Sequence, residues 1–265
     1  AFDADQIQPA SLDVRLGTTA YRIRASFLPG PEATVADKLA DLTLHQIDLT
    51  PGAVLETGCV YLIPLAETLA LPADVEAIAN PKSSTGRIDL FTRVIADRTR
   101  AFDTIPAGYS GPLYLEVSPR TFPVLVRPGS RLSQLRFRRG QVRLTDTEHA
   151  ALHREWRIVD QDVPVLDGGL TLSIDLEGVD GLVGYRAKRH SGVIDVDKKA
   201  AHAVDDFWEP IRLKAKRGLI LDPDEFYILV SREAVHVPPD YAAEMVPIDP
   251  LVGVFRVHYA GFFDP

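Results

Sequence analysis

Short apolar or alternating runs, each closed off by turn formers, set the pattern of this chain. Val60-Tyr61-Leu62-Ile63, Leu113–Val117, Val124-Leu125-Val126, Leu132–Phe137 and Phe226–Val230 lie between Thr57-Gly58, Pro106-Ala107-Gly108, Pro128-Gly129 and Asp222-Pro223-Asp224. That pattern predicts strands rather than helices. Leu65-Ala66-Glu67-Thr68-Leu69 reads as one turn between strands. The best helix candidate is Thr145–Trp156, acidic early and carrying Arg154 late, as the helix dipole favours. Many short strands with 20 prolines predict a mainly β fold, a barrel or sandwich of antiparallel sheets.

The chain also repeats itself. Leu55, Tyr61, Glu67, Pro72, Asp74, Ala77 and Pro81 recur as Leu221, Tyr227, Glu233, Pro238, Asp240, Ala243 and Pro247, a constant displacement of 166 positions. Ser11-Leu12-Asp13-Val14 finds an echo in Ser173-Ile174-Asp175-Leu176, displaced by 162. Two tandem copies of one module are expected, over residues 1–155 and 165–265, with the boundary near 155–168. The second copy stops before any counterpart of Pro106–Phe137, so a truncated module is expected there.

With 265 residues the chain has room for one large core or two small ones. No run reaches the ~18 apolar residues of a membrane-spanning helix. No signal peptide is visible, and the opening Ala1 in place of Met points to a trimmed start. A net charge of −8 argues against a general nucleic-acid binder while leaving room for a local anion pocket. The single cysteine, Cys59, excludes a disulfide scaffold and points to the reducing cytoplasm. It also excludes the His/Cys/Cys zinc set of the common base deaminases. The histidines show no metal-ligand spacing. His149 and His153 stand four apart, but no Glu follows the first, so no metal site is expected.

Candidate chemistry concentrates in a few places. Asn80-Pro81-Lys82-Ser83-Ser84-Thr85-Gly86-Arg87 offers two cations, three hydroxyls and a glycine, which suits a phosphate. It lacks the Walker order, and a solvated turn is the plain alternative. Glu116 alternates with Leu113, Leu115 and Val117, so it shares the other strand face with Tyr114. It is either a surface glutamate or a buried carboxylate suited to proton transfer. Arg93, Arg98 and Arg100, ending at Asp103, either extend an anion pocket or form a solvated loop. Gln134, inside an apolar strand, is either a satisfied core residue or a ligand contact.

Taken in order, these segments resemble a known family. Gln8-Pro9-Ala10-Ser11-Leu12-Asp13-Val14-Arg15-Leu16-Gly17, Pro81–Arg87, Tyr109-Ser110-Gly111, Leu113–Val117, Gly129 and Gln134-Leu135-Arg136-Phe137 are similar to the ordered motifs of deoxycytidine triphosphate (dCTP) deaminases. The whole chain resembles their long, duplicated bacterial form. The resemblance implies the distorted β-barrel of trimeric deoxyuridine triphosphate (dUTP) pyrophosphatases, twice over, the second copy degenerate. It places Glu116 on the catalytic glutamate, and Ser83 and Arg87 on the residues holding the attacking water and the pyrimidine. Ala96 falls where a backbone carbonyl accepts from the cytosine amino group. Lys82 stands where arginine is usual, and Gln134 matches a nucleotide-contacting position. Ser84, Thr85 and Gly86 of the same motif, with Tyr114 and Leu115 beside the glutamate, complete the implied substrate-binding set. The family's turn aspartate is missing from Ile105-Pro106-Ala107-Gly108, and Asp103 is its expected substitute.

The implied reaction is zinc-independent hydrolysis of dCTP to dUTP and ammonia, with magnesium carried on the triphosphate. Without zinc a carboxylate must activate the water, and Glu116 lies in the matching motif. Thymidine triphosphate is an expected inhibitor by the same analogy, and pockets between subunits imply a trimer or pseudo-trimer. Opposite Pro81–Arg87 the second copy reads Pro247-Ile248-Asp249-Pro250-Leu251-Val252-Gly253-Val254. Its cation, serines and arginine are gone, so that module is expected to be structural. The alternatives are a dUTP pyrophosphatase, a bifunctional deaminase and pyrophosphatase, and a non-catalytic nucleotide-binding module.

Overall fold

In the computed structural model the described residues are 3–140, 142–213, 218–246 and 261–265. They form two compact units: Ala1–Gly140 with Gly192–Ala201 and Glu244–Phe262, and Gln141–Ser191 with His202–Ala243 and Phe263–Pro265. The first is built mainly of strands, and the described part of the second combines a small sheet with two helices. No helix among the described residues is long and apolar enough to cross a membrane.

The first unit begins with β1 (Leu12–Val14), β2 (Thr19–Ile23), α1 (Val35–Leu42), β3 (Thr43–Asp48), β4 (Ala53–Leu55) and β5 (Val60–Ala70). Then come β6 (Glu76–Pro81), α2 (Ser83–Gly86), β7 (Leu90–Ala96), β8 (Thr104–Ile105), β9 (Ser110–Pro119), β10 (Val124–Val126) and β11 (Ser133–Arg138). A five-stranded sheet runs β3-β2-β5-β9-β7, and a four-stranded one β1-β11-β6-β8. No sheet closes into a barrel among the described residues. The expected barrel is instead a set of open sheets, because the chain changes partners partway along its strands.

The clearest case is β5. Leu65–Leu69, expected as a turn, stays extended; its pairing with β9 slips between Pro64 and Thr68. At the slip the strand pairs with the N-terminal segment instead: Ala66 donates to the Arg15 carbonyl and Gly17 to the Pro64 carbonyl. A Cβ on Gly17 would lie 2.7 Å from that carbonyl oxygen, so this approach requires glycine. The buried Glu67 carboxylate closes the junction. It accepts from Arg15 N at 2.8 Å, Arg15 Nε at 2.8 Å and Gln6 Nε2 at 2.9 Å.

Leu113, Leu115 and Val117 of β9 face the core as alternation requires. The opposite face is covered as well. There α1, begun by a capping box between Thr34 and Asp37, lays Val35 and Leu39 on Ile23, Leu62 and Ile95, with Phe102 and Tyr114 at the edge. The sequence signal for this helix was the Thr-x-x-Asp spacing, which the strand pattern obscured.

Segment 192–201 leaves the second stretch of chain to join the first unit. Its β13 (Ile194–Asp195) pairs parallel to β10, whose other edge pairs with β4. Arg127 clasps Asp195 through two hydrogen bonds of 2.8 and 3.0 Å. The guanidinium holds the Asp195 carboxyl well below the usual carboxylate range.

The second unit starts with α3 (Asp146–Trp156), capped by Thr145 and Glu148 as the sequence predicts. It continues with β12 (Leu182–Ala187), α4 (Val204–Phe207), β14 (Trp208–Arg212) and β15 (Tyr227–Leu229), its sheet running β14-β12-β15. The repeated residues make the same bonds in both units. Tyr61 Oη accepts from Glu56 N, and Tyr227 Oη from Asp222 N, each at 3.0 Å. Glu233 accepts from Ser173 N and Gln161 Nε2, as Glu67 does from Arg15 N and Gln6 Nε2. Tyr21-Arg22 lies opposite Leu62-Tyr61, and Tyr185-Arg186 opposite Ile228-Tyr227. In these bonds Ser173 corresponds to Arg15, so the N-terminal echo is set four residues from the Ser11 match. Pro247–Val254 lies outside the described residues.

Glu67→Ala should cost about 3 kcal/mol in urea unfolding, because it strips three donors of one buried carboxylate. A loss under about 1 kcal/mol would show that the junction does not depend on this side chain.

Candidate active site

Two polar clusters arise in the first unit. The first is centred on α2, a single turn in which Thr85 and Gly86 donate to the Lys82 carbonyl and Arg87 to the Ser83 carbonyl. Ser83, Ser84 and Arg87 are exposed, while Thr85 and Gly86 are buried. Arg87 Nε donates back to the Ser83 carbonyl at 3.2 Å. Lys82 sits at the end of β6 and pairs with Asp13 of β1. The register places Asp13, Gln134 and Asn80 side by side across β1, β11 and β6. Gln134 accepts from Ser11 Oγ at 3.0 Å; Asp13 Oδ1 and Asn80 Oδ1 are buried with no partner. Gly261 closes over this cluster: a Cβ there would lie 2.9 Å from Pro81 O and 3.0 Å from Gln134 Nε2. Its φ of 89° is also left-handed, so both space and backbone select glycine.

The second cluster is centred on Glu116. The residue is only 1% exposed, because α1 and the segment after β2 cover the strand face that alternation alone assigns to solvent. Glu116 lies directly opposite Arg93 in the β9–β7 register. Arg93 donates to Oε1 from Nε at 3.0 Å and from Nη2 at 2.5 Å. Oε2 is buried and has no partner. Tyr114 shares this face and is half-buried, whereas the Leu115 side chain is fully buried in the core. The Ala96 carbonyl accepts from Thr99 Oγ1 at 2.9 Å, which leaves one of its two lone pairs for another donor.

Asp103 borders this cluster in a left-handed conformation, φ 57°. Its Oδ1 accepts from Val94 N at 2.7 Å. Burial pushes its carboxyl up to about 7, Glu116 adds to the rise, and Val94 N–H and Arg93 oppose it. The basic stretch is therefore not one feature: Arg93 is half-buried on Glu116, while Arg98 and Arg100 are exposed.

Among the described residues no hydrogen bond or ion pair joins Glu116 to Lys82, Ser83 or Arg87, so the chain presents the two clusters separately. Sequence reasoning missed Asp13 and Ser26 as contacts of the site, and missed Arg93 as the partner of Glu116. Strand register, which brings 93 to 116 and 13 to 134, carries that information. No group of three or more His, Cys, Asp or Glu side chains that could hold a metal ion occurs among the described residues.

Residues 1–141 match the 2'-deoxycytidine 5'-triphosphate deaminase N-terminal domain, and residues 145–265 match the C-terminal domain. A dCTP deaminase of Halorubrum lacusprofundi is 33% identical over 138 residues, 51% of this chain and 65% of that one. A "dCTP deaminase, dUMP-forming" of Beutenbergia cavernae is 36% identical over 137 residues, 51% of this chain and 68% of that one. The chain thus spans about two thirds of the length of these relatives. The crystal structure of 2'-deoxycytidine 5'-triphosphate deaminase from Agrobacterium tumefaciens is similar with a TM-score of 0.95 and 65% identity, covering all of this chain and 80% of that one.

The raised carboxyl of Asp103 gives a prediction with a definite sign. The fold keeps this proton where the unfolded chain has lost it, so the contribution of Asp103 to stability is full below about pH 4 and is lost as pH rises through about 7. Asp103→Asn should remove a stability loss of about 3 kcal/mol between pH 4 and 8, read from urea midpoints across that range. An unchanged slope would refute the assignment.

Proposed function

The chain belongs to the 2'-deoxycytidine 5'-triphosphate deaminase family, and we propose that it hydrolyses dCTP to dUTP and ammonia with Glu116 as the proton carrier. The observation behind the reading is the Glu116 carboxylate, buried with Oε1 bonded to Arg93 and Oε2 without a partner. Oε2 takes a proton from water as the oxygen adds to C4 of the cytosine. The proton is delivered to N3, and a second transfer to the amino group lets ammonia leave. Ser83 holds the water, and Arg87 offers a fixed donor to the charge that develops. The free lone pair of the Ala96 carbonyl accepts from the cytosine amino group. Gln134 and Asp103 contact the nucleoside. Lys82, with the small residues Ser84, Thr85 and Gly86, receives the triphosphate; Tyr114 packs beside the base, and Leu115 orients the strand beneath.

Magnesium enters with the substrate, bound to phosphate oxygens and water, an arrangement that requires few protein ligands. The second unit is a degenerate copy of the first and serves a structural role. This is supported by the matched bonds of Tyr61 and Tyr227 and of Glu67 and Glu233. We further propose that the working form is a trimer whose sites join the Glu116 cluster of one copy to the Ser83–Arg87 cluster of another. Their separation within one chain supports this, as do the exposed side chains of Ser83 and Arg87.

A second reading, onward hydrolysis to dUMP, is favoured by the Beutenbergia relative, a dUMP-forming dCTP deaminase. Incubation with dCTP and magnesium, followed by chromatography, separates the two. We expect dUTP and ammonia; dUMP would establish the second reading, and no product would refute both. Glu116→Gln should lower kcat by at least about 10³-fold while nucleotide still binds. Mixing Glu116→Gln with Arg87→Ala, each inactive alone, should restore activity only when subunits exchange into mixed trimers.

A further inference from the structure

We propose that Arg93 is the positioning residue for Glu116, pinning Oε1 so that Oε2 alone is presented to the reacting water. The inference rests on the deaminase reading above.

A carboxylate turns about its last torsion in a broad, two-fold well, so by itself it presents either oxygen to a neighbour. Here two donors of one guanidinium, Nε at 3.0 Å and Nη2 at 2.5 Å, converge on the same oxygen. That breaks the symmetry and leaves Oε2 buried and unpaired. The lock is itself locked. Arg93 Nη2 also donates to Ser26 Oγ at 2.7 Å. The guanidinium carbon lies 3.6 Å from the Phe102 ring centroid and 4.9 Å from that of Phe91, distances at which a planar cation is held by aromatic rings. Phe102 precedes Asp103, whose main-chain N–H donates to the Val94 carbonyl and whose Oδ1 accepts from Val94 N. The loop after β7 therefore fixes the aromatic clamp and the guanidinium in one frame.

This use requires arginine in particular. Lysine would supply the charge that a buried carboxylate needs, but neither the planar stacking nor the two-donor fork. If Arg93 served only to neutralise Glu116, lysine would suffice. If it aims the carboxylate, lysine preserves the fold and loses turnover.

The test compares Arg93→Lys and Arg93→Ala with Glu116→Gln in the full chain, scoring kcat and KM for dCTP. Arg93→Lys, with fold verified by circular dichroism, should lose about 10- to 100-fold in kcat with KM changed less than about threefold. Arg93→Ala should lose more, and added guanidinium ion, but not ammonium, should return part of the loss. If Arg93→Ala fails to fold, the lysine variant decides alone. Wild-type kcat in Arg93→Lys, or a loss confined to KM, would overturn the inference while an inactive Glu116→Gln leaves the reaction reading intact. Full activity in Glu116→Gln would overturn both.

Discussion

The organisation of the first unit depends on one buried carboxylate. Glu67 draws Arg15 and Gln6 onto the middle of β5, where that strand slips out of register with β9. Without an acceptor at this point, the Arg15 amide and one donor of Gln6 would lose their partner, although Gln6 Nε2 also reaches the Asp13 carbonyl. With it, the N-terminal segment is threaded between the sheets, β1 pairs with β11, and Asp13 arrives beside Lys82. Glu233 performs the same service for Ser173 and Gln161 in the second unit. The interaction that shapes each unit is thus the one least expected from apolar patterning.

The site inherits this division of labour. Its cations are placed by carboxylates: Lys82 by Asp13 and Arg93 by Glu116. Arg87, exposed at the end of a single helical turn, bonds through its side chain to a main-chain oxygen. The carboxylate-bound cations are thereby part of the frame, whereas Arg87 faces solvent. Asp103, beside Glu116, has its carboxyl pushed up to about 7 by burial, with a smaller push from that neighbour.

Much of this was legible in the sequence, and the losses have physical causes. The strand alternation at Leu113–Val117 and the capping signal at Thr145 translated directly into structure. The ordered motifs pointed to the family that the whole chain matches. Leu65–Leu69 misled because Ala66, Glu67 and Thr68 interrupt the apolar run and read as a turn, whereas a strand that changes partners keeps its extension. Glu116 was ambiguous because alternation assigns faces but does not say what covers them; α1 does that from residues far away in sequence. Arg93 looked like one of three loop arginines because its meaning lies in register with a strand 23 positions later.

The excursion of residues 192–201 bears on how the chain is made. A strand that completes the first unit is synthesised only after residues 141–191 of the second unit. Until then β10 has one open edge, a template for unwanted pairing with another nascent chain. The Arg127–Asp195 clasp can form only once that late strand arrives, and it spans 68 residues of chain, so closure is slow relative to local turns. The order of synthesis thus leaves the older half of the molecule with an open strand edge until the younger part arrives.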